Sequence, residues 1–209
     1  MNRFLFWVIA GAVFIGCSSD GGKNYGESKN GGGSAGSRGT LSGAQGDLTL
    51  VLQSPATGMP TCPVTGRTYV IGDPDGPDGN STPGDRLIDG MKGASISCSV
   101  LGTGTFSVSG SIRGTTAQGD LVVLKISDGT IDAAGQTGTA TVSVNTTQLA
   151  ATYQSTPGGC TLRIVMGNIK PGSIWGTVSC PSVVDPSSSV KSCAIGPTSA
   201  FVLENCDGS

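Results

Sequence analysis

The sequence predicts an all-β fold: an antiparallel β-sandwich of about eight to ten short strands, stapled by disulfides, with a β-barrel as the alternative. Three observations carry that expectation. Apolar residues recur at every second position in one segment after another from Asp47 onward. Clusters of turn-forming residues separate the segments. The composition is also poor in what helices need, with charged residues at 12 % and Gly at 35 of 209 residues. Soluble domains usually carry roughly 25 % charge, and Gly in a helix interior costs about 1 kcal/mol against Ala. The β-branched residues are too many and too regularly placed for a disordered chain.

The elements follow in order. Leu48, Leu50 and Leu52 open the first strand, and Tyr69-Val70-Ile71 is a short second candidate. Ala94, Ile96, Cys98 and Val100 alternate with Ser95, Ser97 and Ser99. Phe106, Val108 and Ile112 alternate with Ser107, Ser109 and Ser111, and Val122, Leu124 and Ile126 follow. Ala140, Val142 and Val144 oppose Thr139, Thr141 and Ser143, and Leu149 to Tyr153 is another short candidate. Leu162, Ile164 and Met166 come next, then Ile174 and Val178, then Phe201 and Leu203. Alternation of this kind marks strands with one wet and one dry face. Turns are expected at Leu101 to Gly104, Asp128-Gly129, Ala134 to Gln136, Pro157 to Gly159 and Pro171-Gly172.

Residues 1–16 read as a signal peptide. A short cationic start, Met1-Asn2-Arg3, precedes the apolar run Phe4 to Ile15. As a helix that run would span about 18 Å, too short for a bilayer core of about 30 Å. It ends in Phe14-Ile15-Gly16-Cys17-Ser18. These residues resemble the lipobox of bacterial lipoproteins, although that pattern prefers Leu where Phe14 stands. The resemblance implies cleavage after Gly16, a diacylglyceryl thioether on Cys17, and acylation (palmitate type) of the new N-terminus. Ser18, in place of Asp, implies sorting onward to an outer membrane. The expected location is therefore the cell envelope, lipid-anchored and facing the periplasm or the outside. Several buried acyl chains, at about 0.8 kcal/mol per CH₂, make a lasting anchor.

From Cys17 through residue 46 the chain is rich in Gly, Ser and Asn and almost free of apolar residues. It reads as a flexible tether with a typical reach of about 30 Å. Residues 47–209 form the expected all-β domain.

Seven cysteines stand at 17, 62, 98, 160, 180, 193 and 206. An odd count leaves one over, and lipidation takes Cys17. The other six lie in an exported domain, where oxidation is expected. Cys98, Cys160 and Cys180 share the apolar phase of their strands, as inter-strand bridges would. Six cysteines allow 15 pairings. Joining sequence neighbours favours Cys62–Cys98, Cys160–Cys180 and Cys193–Cys206. With no CxxC pair in the sequence, neither a thioredoxin-like centre nor a zinc ribbon is indicated.

Histidine is absent, which excludes Ser-His-Asp and Cys-His catalysis and His-ligated zinc. The net charge is −2, and loss of residues 1–16 removes only Arg3, leaving 11 basic against 14 acidic side chains. No basic footprint for nucleic acid results. Asp73, Asp75, Asp78 and Asn80 offer several of the six to eight oxygens Ca²⁺ requires, but Pro74 and Pro77 interrupt any EF-hand pattern, and a turn-rich surface loop explains the same residues. Trp175 is out of phase with Ile174 and Val178, so it should face solvent, where an aromatic can stack on a sugar or dock a protein. Asp85 and Asp89 are the carboxylates a glycoside hydrolase would need. The reading is a non-catalytic binding or structural module on a membrane tether, meeting an envelope protein or a glycan. The alternatives are a carboxylate-dependent hydrolase and a calcium-dependent glycan-binding module.

Overall fold

The computed structural model of the chain describes residues 43–56, 61–72, 86–188 and 191–207, with the backbone alone at 165–167. The leader, Cys17 and the tether up to residue 42 lie outside the described residues, as does the 73–85 loop; at Met166, expected to face inward, the side chain does too.

The described residues hold no helix; twelve strands join in one antiparallel sheet. They are β1 (Gln45–Gln53), β2 (Arg67–Ile71), β3 (Leu87–Ile88), β4 (Ser95–Gly102), β5 (Thr105–Thr115), β6 (Leu121–Asp132), β7 (Thr137–Thr146), β8 (Tyr153–Gln154), β9 (Cys160–Lys170), β10 (Ser173–Val184), β11 (Ser192–Ile195) and β12 (Ala200–Glu204). The count exceeds eight to ten because alternation cannot reveal the shortest strands. β3 and β8 have two residues each, and all four residues of β11 are buried. The Leu149–Tyr153 candidate shrinks to Tyr153–Gln154, preceded by a turn under which Leu149 is buried.

The sheet folds over on itself into the expected sandwich. One layer is the meander β4–β5–β6–β7. The other runs from β9 to β10, then to β12 and β11 laid end to end between β10 and β1, and finally to β2 and β3 on the far side of β1. β9 pairs with both β7 and β10, so the sheet passes between layers without a break. The layers meet closely where side chains vanish: Gly110 lies against Leu203, Gly114 against Ile71 and Leu87, and Gly129 against Leu162. The expected inward sets are buried strand by strand, from Leu48, Leu50 and Leu52 on β1 to Phe201 and Leu203 on β12. Each such side chain contributes about 1.5–3 kcal/mol of burial.

The opposite side of the roll does not close as a ladder, so the barrel stops short. β4 meets the tail after β12 through one parallel bridge, Ser99 to Asp207. Val100 N–H donates to the Asp207 carbonyl at 3.1 Å, and Asp207 N–H to the Cys98 carbonyl at 3.0 Å. Disulfide Cys98–Cys206 locks that seam.

Asp128-Gly129 is not the turn that its sequence suggests. Both residues lie inside β6, and the register shifts there against β5 and against β7. Asp128 takes a left-handed φ of 53°, which Asp tolerates better than most residues. The extra residue is a β-bulge. It re-phases the strand, so that Gly129 and Ile131 point inward after Val122, Leu124 and Ile126. A dipeptide that favours positive φ serves a bulge as readily as a hairpin.

The six cysteines form three disulfides, but two of the three expected pairings are wrong. Cys160–Cys180 links β9 to its hairpin partner β10, as expected. Cys62 bonds Cys193, and Cys98 bonds Cys206, rather than Cys62 with Cys98 and Cys193 with Cys206. The reason is topological. β1 runs beside β11 and β12, so the segment leaving β1 carries Cys62 to β11. The tail of β12 ends on β4, which brings Cys206 to Cys98.

A small charged cluster ends β10. Ser187 donates to Asp185 Oδ1 through its hydroxyl (2.6 Å) and its N–H (2.8 Å). These bonds, with Lys191 nearby, hold the Asp185 carboxyl below the usual carboxylate range. Burial, and the Asp185 charge, push the Tyr153 phenol up. A lowered carboxyl supplies stability above its unfolded value of about 3.9, lost as pH falls through the lower folded value. A raised phenol supplies stability below about 10, lost as pH rises through the higher folded value. The urea midpoint should therefore fall at both extremes, and Asp185→Asn should flatten the acid limb. An unchanged acid limb in that variant would contradict the assignment.

Candidate functional site

The outer face of the second layer carries the site. Ser173 and Trp175 alternate with the buried Ile174 on β10, and Trp175 is half-buried on the outer side, as its phase predicts. Register places Lys170 of β9 opposite Ser173, and Gln45 of β1 opposite Glu204 of β12. Strand alternation puts Asn168, Lys170, Ser173, Trp175, Glu204 and Asp47 on that one face.

Trp175 is held from two sides. Its indole Nε1–H donates to Glu204 Oε1 at 2.8 Å. The Arg86 guanidinium stacks on the ring, with Cζ 4.4 Å from the centroid. Arg86 Nη1 pairs with Glu204, and Arg86 Nε lies 3.9 Å from Asp47 Oδ2. The Asp47 side chain is fully buried although it occupies the wet phase of β1, and Gly72, Arg86 and Leu87 lie against it. Leu87 N–H approaches Asp47 Oδ1 at 3.4 Å. Gly72 has a φ of +76°, and a Cβ there would strike the Asp47 carboxylate. Gly is thus required at position 72 on both counts.

Beside this braced ring lies an open groove. Asn168, Lys170, Ser173, Trp175 and Glu204 line a part of about 210 Å³. A second part of about 370 Å³ shares Lys170, Ser173 and Glu204 and runs on past Pro171 and Gly172 to Asn205 and Cys206. Its lining mixes donors and acceptors, and its two charged residues, Lys170 and the Arg86-paired Glu204, are of opposite sign.

Of the residues singled out from sequence, the structure brings Trp175 to a site and places the six disulfide cysteines in structural bridges. Asp73, Asp75, Asp78 and Asn80 lie outside the described residues, as does Asp85. Asp89 accepts from Ile96 N–H at 2.8 Å, holding the turn into β4. Among the described residues no three Asp, Glu or Cys side chains are gathered as a metal site. Sequence reasoning missed Arg86, Asp47 and Glu204. Asp47 and Glu204 sit on wet phases and read as ordinary solvent residues. Only the pairing of β1, β12 and β10 sets them together.

On the outer face of β4–β6 a second dent of about 270 Å³ is lined by Ser97, Ser99, Ser109, Ser111 and Ser127, with Lys125 and Asp207 at its sides. Comparison with known protein families, with curated proteins and with solved structures finds no match for this chain.

Proposed function

We propose that this chain is a lipid-anchored envelope protein whose β-domain is a non-catalytic binding module. The observation that carries the binding half is the braced Trp175 beside an open polar groove. An aromatic held by a hydrogen bond and a stacked cation presents its surface with little rotamer freedom left to lose, which favours recognition. The three disulfides make the sheet beneath it rigid, as a displayed site requires. The anchor half rests on Phe14-Ile15-Gly16-Cys17 and the tether that follows.

Two experiments test the two halves. Mass spectrometry of membrane-purified protein should find a diacylglyceryl adduct on an N-terminal Cys17, and Cys17→Ala should move the protein from the membrane to the soluble fraction. A soluble wild-type product beginning at another residue ends the anchor reading. For binding, a photo-reactive phenylalanine at position 45, opposite Glu204 and beside the groove, in intact cells should yield a discrete cross-linked envelope partner, absent when the same group is placed on the β6 bulge at Asp128. Equal or no labelling from the two positions ends the binding reading.

A further inference from the structure

We propose that the groove from Trp175 to Asn205 binds an uncharged oligosaccharide, with one sugar against Trp175 and the next toward Asn205; this rests on the binding reading above. The groove chooses its ligand by charge first. Its two charged lining residues, Lys170 and Glu204, are of opposite sign. An anion would meet Glu204 and a cation would meet Lys170, so a neutral ligand has the least electrostatic cost. A cation stacked on the indole is already supplied from within by Arg86.

Hydrogen bonding narrows the class further. Lys170 only donates, Glu204 only accepts, and Asn168 and Ser173 can do both. Sugar hydroxyls each donate and accept, and they match such a mixed lining where a purely apolar ligand would strand it. The aromatic wall supplies the remaining contact. Arg86 covers part of the indole, and Trp175 itself lines the groove beside it, so the remaining indole surface is what a ligand there would meet. The axial C–H bonds of a pyranose fit such a surface, as apolar bodies with polar rims do. Finally, the two parts of the groove adjoin, with Lys170, Ser173 and Glu204 common to both linings, and the larger, at about 370 Å³, falls in the roughly 300–1,000 Å³ usual for small-molecule sites. A chain of sugars, rather than a single one, fills both.

The test uses the full chain carrying Trp7→Phe, so that Trp175 is its one tryptophan. Indole emission is titrated with maltotetraose, cellotetraose and chitotetraose. At least one should give a saturable change. Lys170→Ala, on an exposed side chain, should weaken that binding at least tenfold with the melting temperature unchanged, and Ser173→Phe, which fills the groove without adding an indole, should abolish it. A saturable response to none of the three overturns the proposal. So does a response that both variants leave intact. A discrete protein cross-linked from position 45, with no sugar response, also overturns it while leaving the binding reading in place.

Discussion

Replacing Cys98 and Cys206 together by alanine lowers the unfolding free energy by about 4–5 kcal/mol, whereas replacing Cys160 and Cys180 together lowers it by about 3 kcal/mol. The difference follows from the chain each bond closes. Cys98–Cys206 spans 108 residues and Cys160–Cys180 spans 20. In the chain-entropy account a bond restricts the unfolded state more when it joins more distant residues, and the effect grows with the logarithm of the loop. Cys62–Cys193, spanning 131 residues, belongs with the costly pair at about 5 kcal/mol. Structure sharpens the contrast. Cys160 and Cys180 sit on β9 and β10, which a hairpin ladder with one register shift already joins. Cys98 and Cys206 hold a seam otherwise made of one bridge and a few main-chain hydrogen bonds. Equilibrium urea unfolding of the three double variants gives the ranking. Loss of Cys160–Cys180 costing as much as loss of Cys98–Cys206 would refute it, and a peptide map of the oxidised protein would refute the pairing itself if it linked Cys62 to Cys98.

Arg86→Leu should cost about 3–5 kcal/mol, the range for removing one member of a buried ion pair. Arg86 has a side chain only 7 % exposed and Asp47 one that is 0 % exposed. Taking the guanidinium away leaves the Asp47 carboxylate buried without its cation and strips the stacked partner from Trp175. Breaking a buried pair is far more damaging than removing both charges, because the unmatched ion keeps its desolvation penalty. The double change Asp47→Asn with Arg86→Leu should therefore recover a large part of the loss, since Asn keeps an acceptor for Leu87 N–H. Denaturant midpoints of the two single variants and the double variant make the cycle. Trp175 emission should shift to the red in Arg86→Leu as solvent reaches the ring. A loss below about 1 kcal/mol would mean the pair behaves like an exposed surface bridge, and the bracing of Trp175 would then need another source.

Much of the strand content was legible because alternation is a local signal. Leu48, Leu50 and Leu52, or Val122, Leu124 and Ile126, declare a dry face within five residues, and the structure buries each of them. Trp175 was legible for the same reason, since its phase against Ile174 and Val178 puts it outside. The signal failed where it had too few residues to repeat, as in β3 and β8, or no wet face to contrast, as in β11. It also failed at Asp128-Gly129, where one dipeptide suits two backbone features.

By itself, then, the sequence determined the β class, the inward faces and the outward Trp175, properties of residues near one another in the chain, together with the presence of six cysteines beyond Cys17, which is a count. Tertiary structure alone decided the rest. Which cysteines bond depends on β1 lying beside β11 and β12 and on the end of β12 reaching β4, contacts between residues more than a hundred positions apart. Whether Asp47 is a solvent residue or a buried counter-ion depends on Arg86 folding over it. Which side chains surround Trp175 depends on β9, β10 and β12 arriving in register. Such pairings are chosen by the burial of the whole sheet, an energy summed over many strands, and no window along the chain contains it.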